Sequence, residues 1–367
     1  MKAIVWTEYG PPEGLHLEEV PTPSPREDEV RIRIHATTVA AGDCELRALR
    51  FSLGLRILVR LLMGITKPRP KILGQEFAGT VESVGSRARR FRVGDAVFGT
   101  TGFAFGAYAE YLCLPEDSRG RALALMPSNM TYEEAAAVPT GGLEAWHFLR
   151  RAGPLRGRRV LINGAGGGIG MFAVQLAKEF GAEVTAVDGA GKLEALRANG
   201  ADHVIDYARE DFTQRGQTYD VIFDIAGSSS ISGSMGALTD HGCYLLGNPG
   251  VGARLRGVWS SRKRGRRVIA GASRQPTEDL VFLRQLIETG RLRATIDRRF
   301  PLAQVPEAHR YVDTGAVGGK VVVTVVGDPA QGSPAVGGSE DESSTVDRHH
   351  RADGEAQERA GGVPGRE

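Results

Sequence analysis

Cysteine is scarce in this sequence, which has three cysteines among 367 residues. They are far apart and form no Cys-x-x-Cys pair: Cys44, Cys113 and Cys243. This spacing excludes a zinc lobe built from a cysteine cluster, and it gives no sign of a disulfide framework.

Long apolar runs and a large net charge are also missing. The most apolar window, Leu53–Ile65, is interrupted by Arg56 and Arg60 and is too short and too charged to cross a bilayer. The formal net charge is +2, which provides no bulk electrostatic reason to bind nucleic acid or a membrane. The first residues lack the apolar core of a secretory signal, so we expect a cytoplasmic protein.

Changes in pattern divide the chain into four parts. Residues 1–130 contain many short strands and predict a compact, barrel-like β domain. Residues 131–272 alternate strands with helices and predict a doubly wound parallel sheet, so the fold class is α/β. Residues 273–326 offer two helices and one strand, too little for a core of their own, and are expected to complete the first domain. Residues 327–367 show no periodicity and predict a disordered tail.

Two helices have boundaries that can be read from local sequence. Thr131 and Glu134 have the spacing of a capping box, which predicts a helix that begins after Thr131. The segment Thr277–Glu288 has an apolar face and is followed by Gly290, so it predicts an amphipathic helix.

The strongest functional signal is the segment Val160–Asp188. An apolar strand enters a glycine cluster, a helix with an apolar stripe follows, and a second strand ends in an acidic residue. The free N–H groups at the start of such a helix suit a pyrophosphate, and glycine lets the backbone approach it. In this context the cluster, read as Ala165-x-Gly167-x-x-Gly170, predicts a dinucleotide-binding Rossmann domain. The residues expected against the cofactor are Gly164, Ala165, Gly167, Gly168, Ile169 and Gly170. The alternative, a turn that only packs a helix on a sheet, would need fewer glycines.

The same glycines also fit the Gly-x-x-x-Gly-x-Gly pattern of short-chain dehydrogenases, through Gly164, Gly168 and Gly170. That family needs a catalytic Tyr-x-x-x-Lys pair, and none of the eight tyrosines here is followed four residues later by lysine. The motif also lies behind a β domain instead of at the start of the chain. The short-chain alternative is therefore excluded.

Four further stretches and the order of the domains resemble the medium-chain dehydrogenase/reductase superfamily, and most closely its zinc-independent quinone oxidoreductase-like branch. The stretches are residues 74–79, 92–99, 106–111 and 200–207. The resemblance extends over residues 1–326 and implies a GroES-like catalytic domain beside the Rossmann domain, in a homo-oligomer that is a dimer in the family. It implies an NAD(P)H-dependent oxidoreductase that transfers hydride to a quinone, an enone or a related carbonyl acceptor.

The zinc-dependent alcohol dehydrogenases of this superfamily hold their metal with residues that are missing here. Cys44 falls at the position of the first ligand, but Gln75 replaces the histidine of the Gly-His-Glu motif. No cysteine occurs between Cys113 and Cys243, where the third ligand would fall. Because an amide is a poor zinc ligand, we expect no zinc. A divergent NAD(P)-dependent alcohol dehydrogenase and an inactive NAD(P)-binding sensor remain as alternatives.

The resemblance leaves the proton donor unassigned. The branch often carries an aspartate, a tyrosine and an arginine close together; Asp43 and Arg47 match, but Glu45 stands at the tyrosine position. Glu144 likewise replaces the family's threonine before Ala-Trp. Asp43 and Arg47 are thus the catalytic candidates, although we expect them to form a structural ion pair instead.

The adenosine end of the cofactor site carries mixed signals. Asp188 can accept hydrogen bonds from the ribose and would repel a 2′-phosphate, which favours NADH, and Gly189 stands where NADP-binding members tend to have serine. Against this, Lys192 matches a family lysine able to face the 2′-phosphate, and Tyr207 matches a tyrosine near the adenosine; each could equally be a solvated or a packing residue. Asn248 matches a loop near the nicotinamide, where the alternative is an ordinary turn. We expect NAD(P)H, with NADH preferred.

The apolar window Leu53–Ile65 has two open interpretations. It either lines an apolar substrate entrance or forms a core helix, and the first of these implies a small apolar acceptor. The basic run at residues 254–267 has no aromatic residue besides Trp259 that could stack on a nucleic acid, so we interpret it as a solvated loop.

Overall fold

A computed structural model describes residues 1–69, 71–117, 120–247 and 265–325. The strands are β1 Lys2–Trp6, β2 Leu15–Glu19, β3 Glu29–Val39, β4 Glu76–Val84, β5 Ala96–Thr100, β6 Tyr111–Pro115, β7 Ala122–Leu125, β8 Arg159–Asn163, β9 Glu183–Asp188, β10 His203–Asp206, β11 Tyr219–Asp224, β12 Leu238–Leu246, β13 Arg267–Ala270, β14 Ile296–Pro301 and β15 Lys320–Thr324. The helices are α1 Ala41–Ala48, α2 Leu53–Met63, α3 Tyr132–Ala136, α4 Pro139–Ala152, α5 Gly170–Glu179, α6 Leu193–Ala198, α7 Ile231–Gly236, α8 Thr277–Glu288 and α9 Val305–Asp313. Asn248, most of the basic run and the predicted tail lie outside the described residues.

The second half of the chain forms a six-stranded sheet in the order β10-β9-β8-β11-β12-β13. All of its pairs are parallel, and the order reverses direction between β8 and β11. This is the strand order of the Rossmann fold, so the predicted doubly wound α/β sheet is confirmed. Ligands of such sheets bind beyond the carboxyl ends of the strands at the reversal, which here lies between β8 and β11.

Five strands from the first part of the chain and the last two strands form a mostly antiparallel seven-stranded sheet in the order β14-β15-β3-β4-β5-β7, with β6 also paired to β3. The long strand β3 is its centre, because it pairs with β4, β6 and β15. Apolar side chains that alternate along β3 are fully buried in this half of the molecule: Val30, Ile32 and Ile34. The expected β-rich domain is therefore present.

The segment after residue 272 adds β14 and β15 to the β-rich sheet, and its helix α8 shares a core with the Rossmann strands. Helix α8 buries Leu280 and Leu283 in the same core as the Rossmann strands, whereas β15 pairs with β3 of the other sheet. The last strand thus returns to the β-rich sheet, while α8 lies between β7 of that sheet and α4. The predicted bounds of Thr277–Glu288 are confirmed.

The junction between the two sheets is formed by α3 and α4. Thr131 accepts a hydrogen bond from the Glu134 N–H (3.3 Å), and the Glu134 carboxylate accepts one from the Thr131 N–H (2.8 Å), so the capping box is confirmed. Helix α4 begins at Pro139, whose fixed φ suits the first helical position. A Cβ on Gly141 would lie 2.5 Å from the Gly168 carbonyl oxygen, so glycine at this position lets α4 reach the glycine turn.

The apolar window at residues 53–65 contains α2, and none of the residues of this helix is buried. The interpretation as a core helix is therefore wrong, since large side chains such as Leu53 and Leu62 are more than half exposed. In the part of the chain that the structure describes, no helix combines the length and apolarity needed to cross a membrane.

Candidate functional site

The glycine turn joins the ends of two neighbouring strands. Strand β8 ends at Asn163, and Gly164 follows in a left-handed conformation with φ of +82°. The N–H groups of Gly164 and Ala165 both donate to the carbonyl oxygen of Val187 on β9, at 3.0 and 3.1 Å. The turn is thereby fixed at the carboxyl edge of the sheet, and α5 starts from it at Gly170.

The space around each glycine indicates how the turn can hold a dinucleotide. A Cβ on Gly170 would lie 2.4 Å from the Gly164 oxygen and 2.5 Å from Ala165, so only glycine lets the helix pack this closely. A Cβ on Gly167 would have one neighbour within 4 Å, the Gly164 oxygen at 3.8 Å. The turn is therefore crowded against the protein at Gly170 and open at Gly167, beside the start of a helix, as a pyrophosphate site requires.

Asp188 and Lys192, both predicted to face the adenosine, lie together. One Asp188 oxygen accepts a hydrogen bond from the Gly166 N–H at 2.7 Å. The other accepts one from the Gly189 N–H at 2.9 Å and lies 3.2 Å from the Lys192 ammonium. The carboxylate is thus held at the end of β9, and Lys192 offsets part of its negative charge.

Tyr207 lies beside the same group of residues. Its side chain is 65% exposed, and its hydroxyl would be 3.5 Å from a Cβ placed on Gly189. Because it is this exposed, packing does not account for its position. Asp188, Lys192 and Tyr207 are brought to one place, whereas Asn248 lies outside the described residues.

A buried ion pair lies next to the other end of the glycine turn. A Cβ on Gly168 would be 2.7 Å from the Lys320 side chain, whose ammonium pairs with the carboxylate of Glu76. Glu76 also accepts hydrogen bonds from the Thr38 hydroxyl and from the Thr140 N–H, the latter at 2.7 Å. Glu76 thus joins β3, β4, β15 and α4, and it is 1% exposed.

A second buried carboxylate supports the loop under the turn. Asp224, at the end of β11, accepts hydrogen bonds from the Asn163 amide (2.9 Å) and the Gly227 N–H (2.9 Å). It also accepts them from the hydroxyls of Ser229 and Tyr244, at 2.6 and 2.8 Å. The sequence analysis predicted neither carboxylate network. For the second one, the available signal was an acidic residue, Asp224, at the end of the apolar run that forms β11.

A cavity of about 790 Å³ opens between the two sheets. Its wall comes from the loop before β4, from α4, and from the segment after β13, and includes Gln75, Thr140, Glu144 and Ser273. Thr140 is the neighbour of Gly141, which contacts the glycine turn at Gly168. The hydroxyl of Thr140 is buried and forms no hydrogen bond within the described residues. Thr140 therefore connects the cavity wall to the residue that contacts the cofactor turn, and its hydroxyl is buried beneath that wall.

The two catalytic candidates have structural partners away from this cavity. Asp43 accepts a hydrogen bond from the Ala40 N–H at 3.0 Å, which caps α1, and burial raises its pKa to about 6. Arg47 pairs with Asp313 at 2.6 Å and donates to the ring of His309 at 3.3 Å. The expected ion pair between Asp43 and Arg47 is therefore wrong, because Asp313 on α9 takes the place of Asp43.

Cys44 and Gln75, which stand at two zinc-ligand positions of the alcohol dehydrogenases, have other contacts here. The Cys44 sulfur lies 3.2 Å from the His309 ring and is buried, which raises the pKa of the thiol well above its usual range. Gln75 lies in the cavity wall. Among the described residues, no group of three or more His, Cys, Asp or Glu side chains is arranged to hold a metal ion.

A Rossmann sheet with a glycine turn, a β-rich domain and a cavity between them define a two-domain dinucleotide-dependent oxidoreductase. The family described as "Alcohol dehydrogenase GroES-like domain" matches residues 26–126, and the family described as "Zinc-binding dehydrogenase" matches residues 199–323.

Individual proteins show the same relationship. The chain is 32% identical to the 2-methylene-furan-3-one reductase of Solanum lycopersicum over 88% of this chain and 79% of that one. It is 30% identical to the chloroplastic NADPH-dependent alkenal/one oxidoreductase of Arabidopsis thaliana over the same shares. The solved structure of the quinone oxidoreductase from Coxiella burnetii matches with a TM-score of 0.79 at 31% identity, over 89% of this chain and 99% of that one. The chain belongs to the medium-chain dehydrogenase/reductase superfamily and is related to its quinone and enone oxidoreductases. It is an oxidoreductase with a site for NAD(P)H.

Proposed function

We propose that the protein reduces quinones, enones or related carbonyl compounds with NAD(P)H, and that the acceptor binds in the cavity lined by Gln75, Thr140 and Glu144. The observation that carries this proposal is that one residue of the cavity wall, Thr140, precedes Gly141, which contacts the glycine turn at Gly168. When bound, NAD(P)H supplies a hydride. The names of the relatives, which include an alkenal/one oxidoreductase and a quinone oxidoreductase, support such acceptors.

The residues of the chain bind and orient the two reactants. The open turn at Gly167 and the start of α5 receive the pyrophosphate, and Asp188 accepts hydrogen bonds from the ribose. The Thr140 hydroxyl is buried and unpaired in this structure, and rotation of this side chain when the acceptor binds would let it donate a hydrogen bond to the acceptor's carbonyl oxygen. That bond would draw electrons away from the carbon that gains hydride. Holding the two reactants in a fixed mutual orientation would supply much of the rate.

We further propose that NADH is preferred by a small factor. The carboxylate of Asp188 repels a 2′-phosphate, but Lys192, 3.2 Å away, offsets that repulsion. The relative in Arabidopsis thaliana is NADPH-dependent by name, which shows that a related site can accept NADPH. We therefore propose that the balance between the charges of Asp188 and Lys192 decides which cofactor this chain prefers. Rates with each reduced cofactor measure it directly.

We propose that the reaction proceeds without zinc. The donor set argues for this, because Gln75 offers an amide in place of imidazole and Cys44 is engaged with His309. Quinones and enones are already electrophilic and need less Lewis-acid assistance than an alcohol does.

The cellular setting is also a proposal, that of a cytoplasmic homodimer that acts on a small molecule and not on nucleic acid or a membrane. It is supported by the three free cysteines, two of them buried, which suit a reducing compartment. Sedimentation analysis of the purified chain tests the dimer.

A panel of quinones, enones and alcohols, assayed with both cofactors, tests the function. Turnover of enones or quinones supports the proposal. Turnover of alcohols alone favours a divergent alcohol dehydrogenase, and cofactor binding without any turnover favours a sensor protein; either outcome contradicts it.

A further inference from the structure

Glu144 is a partly buried acidic side chain in the wall of the cavity, and the proposed function gives it no role so far. It lies on α4 one turn after Thr140, so both side chains occupy the same face of the helix, and both line the cavity. Ser273, which follows β13, lies across from it with its hydroxyl 3.3 Å from one carboxyl oxygen. No other described residue forms a hydrogen bond or an ion pair with this carboxyl group.

The environment of Glu144 favours the protonated carboxylic acid. Burial raises the pKa of Glu144 to about 7, while the Ser273 hydrogen bond and the charge of Lys320 lower it and the charge of Glu76 raises it. The remaining charged groups of the cavity wall are Asp117, Arg274 and Glu278. His147, on the next turn of α4, has its own pKa lowered by burial and adds little positive charge.

We propose that Glu144 is the proton donor of the reaction, giving its carboxyl proton to the acceptor while Thr140 holds the carbonyl oxygen. This inference rests on the proposed function. The geometry supports it because Glu144 and Thr140 lie one helical turn apart on the cavity wall, and Thr140 precedes Gly141, which contacts the cofactor turn at Gly168.

The proposed step balances for an enone. The β carbon of the acceptor gains a hydride from the reduced nicotinamide, whose C–H bond breaks, and the electrons of the C=C bond move toward the carbonyl oxygen. The O–H bond of Glu144 breaks as its proton passes to the α carbon or to that oxygen. The acceptor is reduced by two electrons, the nicotinamide is oxidised, and the Glu144 carboxylate regains a proton from water in the cavity.

Variants of Glu144 and Ser273 test the proposal, with E45Q as the control. Glu45 is also a half-buried carboxyl group whose pKa is raised by burial, but it lies on α1 outside the cavity wall. We expect E144Q to lower kcat for enones by about 100-fold or more, as loss of a general acid does, with cofactor affinity unchanged. Quinones, whose reduced oxygens take protons readily from water, should lose less, and E45Q should match the wild type.

The pH dependence of kcat provides an independent test of Glu144 as the proton donor. Since the acid form is required, kcat of the wild type should fall as the pH rises through about 7, and E144Q should lose this fall. The S273A variant removes a hydrogen bond that lowers the pKa, so the fall should move to higher pH. Infrared titration of the cofactor-free protein should show a carboxylic acid near pH 7 that is missing in E144Q.

These experiments distinguish a failure of the Glu144 proposal from a failure of the proposed function. If the wild type reduces enones, the proposal is overturned when E144Q retains the wild-type kcat and pH profile, or when S273A leaves the profile in place. Should E144Q fail to fold, S273A and the infrared titration of the wild type still decide it. If the wild type reduces neither enones nor quinones, the proposed function itself has failed.

Discussion

Lys320 and Glu76 are 244 residues apart in the chain and form a buried ion pair beside Gly168 of the cofactor turn. The pair joins β15 to β4 in the β-rich sheet. Glu76 also accepts a hydrogen bond from the Thr140 N–H, which connects the pair to α4. It therefore aligns the cavity wall with the cofactor turn as well as contributing to the core.

Breaking this pair should be costly for stability. K320M leaves the Glu76 carboxylate buried without its cation, so we expect a loss of about 3–5 kcal/mol in the free energy of unfolding. The double variant K320M/E76Q should recover part of it, because the uncompensated charge is gone. The control R87M breaks an ion pair whose side chains are 72% and 65% exposed, and it should cost at most about 1 kcal/mol. Urea denaturation measures all three; an equal loss for K320M and R87M would contradict this account.

The cofactor preference should follow the pair Asp188 and Lys192. D188S removes the charge that repels a 2′-phosphate and should raise the NADPH:NADH ratio of kcat/KM about tenfold, equal to about 1.4 kcal/mol. K192A removes the offsetting cation and should lower that ratio. K178A, which breaks an ion pair with Asp202, serves as the control and should leave the ratio unchanged. A ratio insensitive to both changes would show that these side chains do not face the ribose.

Alanine substitutions at Gly170 and Gly167 should have different effects: the first should lower stability, and the second should weaken cofactor binding. G170A forces a Cβ within 2.5 Å of backbone atoms and should destabilise the fold by about 1–3 kcal/mol. G167A adds its Cβ in open space, so stability should stay within about 0.5 kcal/mol of the wild type. Because that space is where we place the pyrophosphate, G167A should nevertheless weaken cofactor binding. Calorimetric titration with NADH checks this, and wild-type affinity in G167A would place the pyrophosphate elsewhere.

The burial of Asp43 should make stability depend on pH. Its pKa is about 6 in the folded protein, above the model-peptide value of 3.8, so the folded state binds the extra proton between about pH 4 and 6. Stability therefore falls as the pH rises through this window. D43N removes the effect and should gain stability relative to the wild type at pH 8, with the difference vanishing below pH 4. A constant difference across this range, measured by urea denaturation, would contradict the assigned cause.

Local patterns predicted the parts of the site that are built from neighbouring residues. The turn from Gly164 to Gly170 depends on glycine geometry within seven positions, and the Thr131–Glu134 capping box on four. Asp188 could be placed because a strand of ordinary length carries it to the same sheet edge as the turn. Such features need no knowledge of how distant segments pack.

Features formed between distant segments could not be predicted. The partner of Arg47 is Asp313, 266 residues later, and the sequence offered the nearer Asp43 as the obvious choice. Strand β14 was missed because its sequence, Ile-Asp-Arg-Arg-Phe-Pro, is charged and mostly exposed; its pairing with β15 forms it. The role of Glu144 likewise emerges only when Ser273, 129 residues away, completes the cavity wall.

The most direct test of the central claim is the rate of NADH and NADPH oxidation with a panel of enones and quinones, with zinc content measured on the same sample and the assay repeated with a chelator. The account predicts turnover of enones or quinones that the chelator does not reduce, with substoichiometric zinc and a modest preference for NADH. One tightly bound zinc per chain together with chelator-sensitive oxidation of alcohols would contradict it.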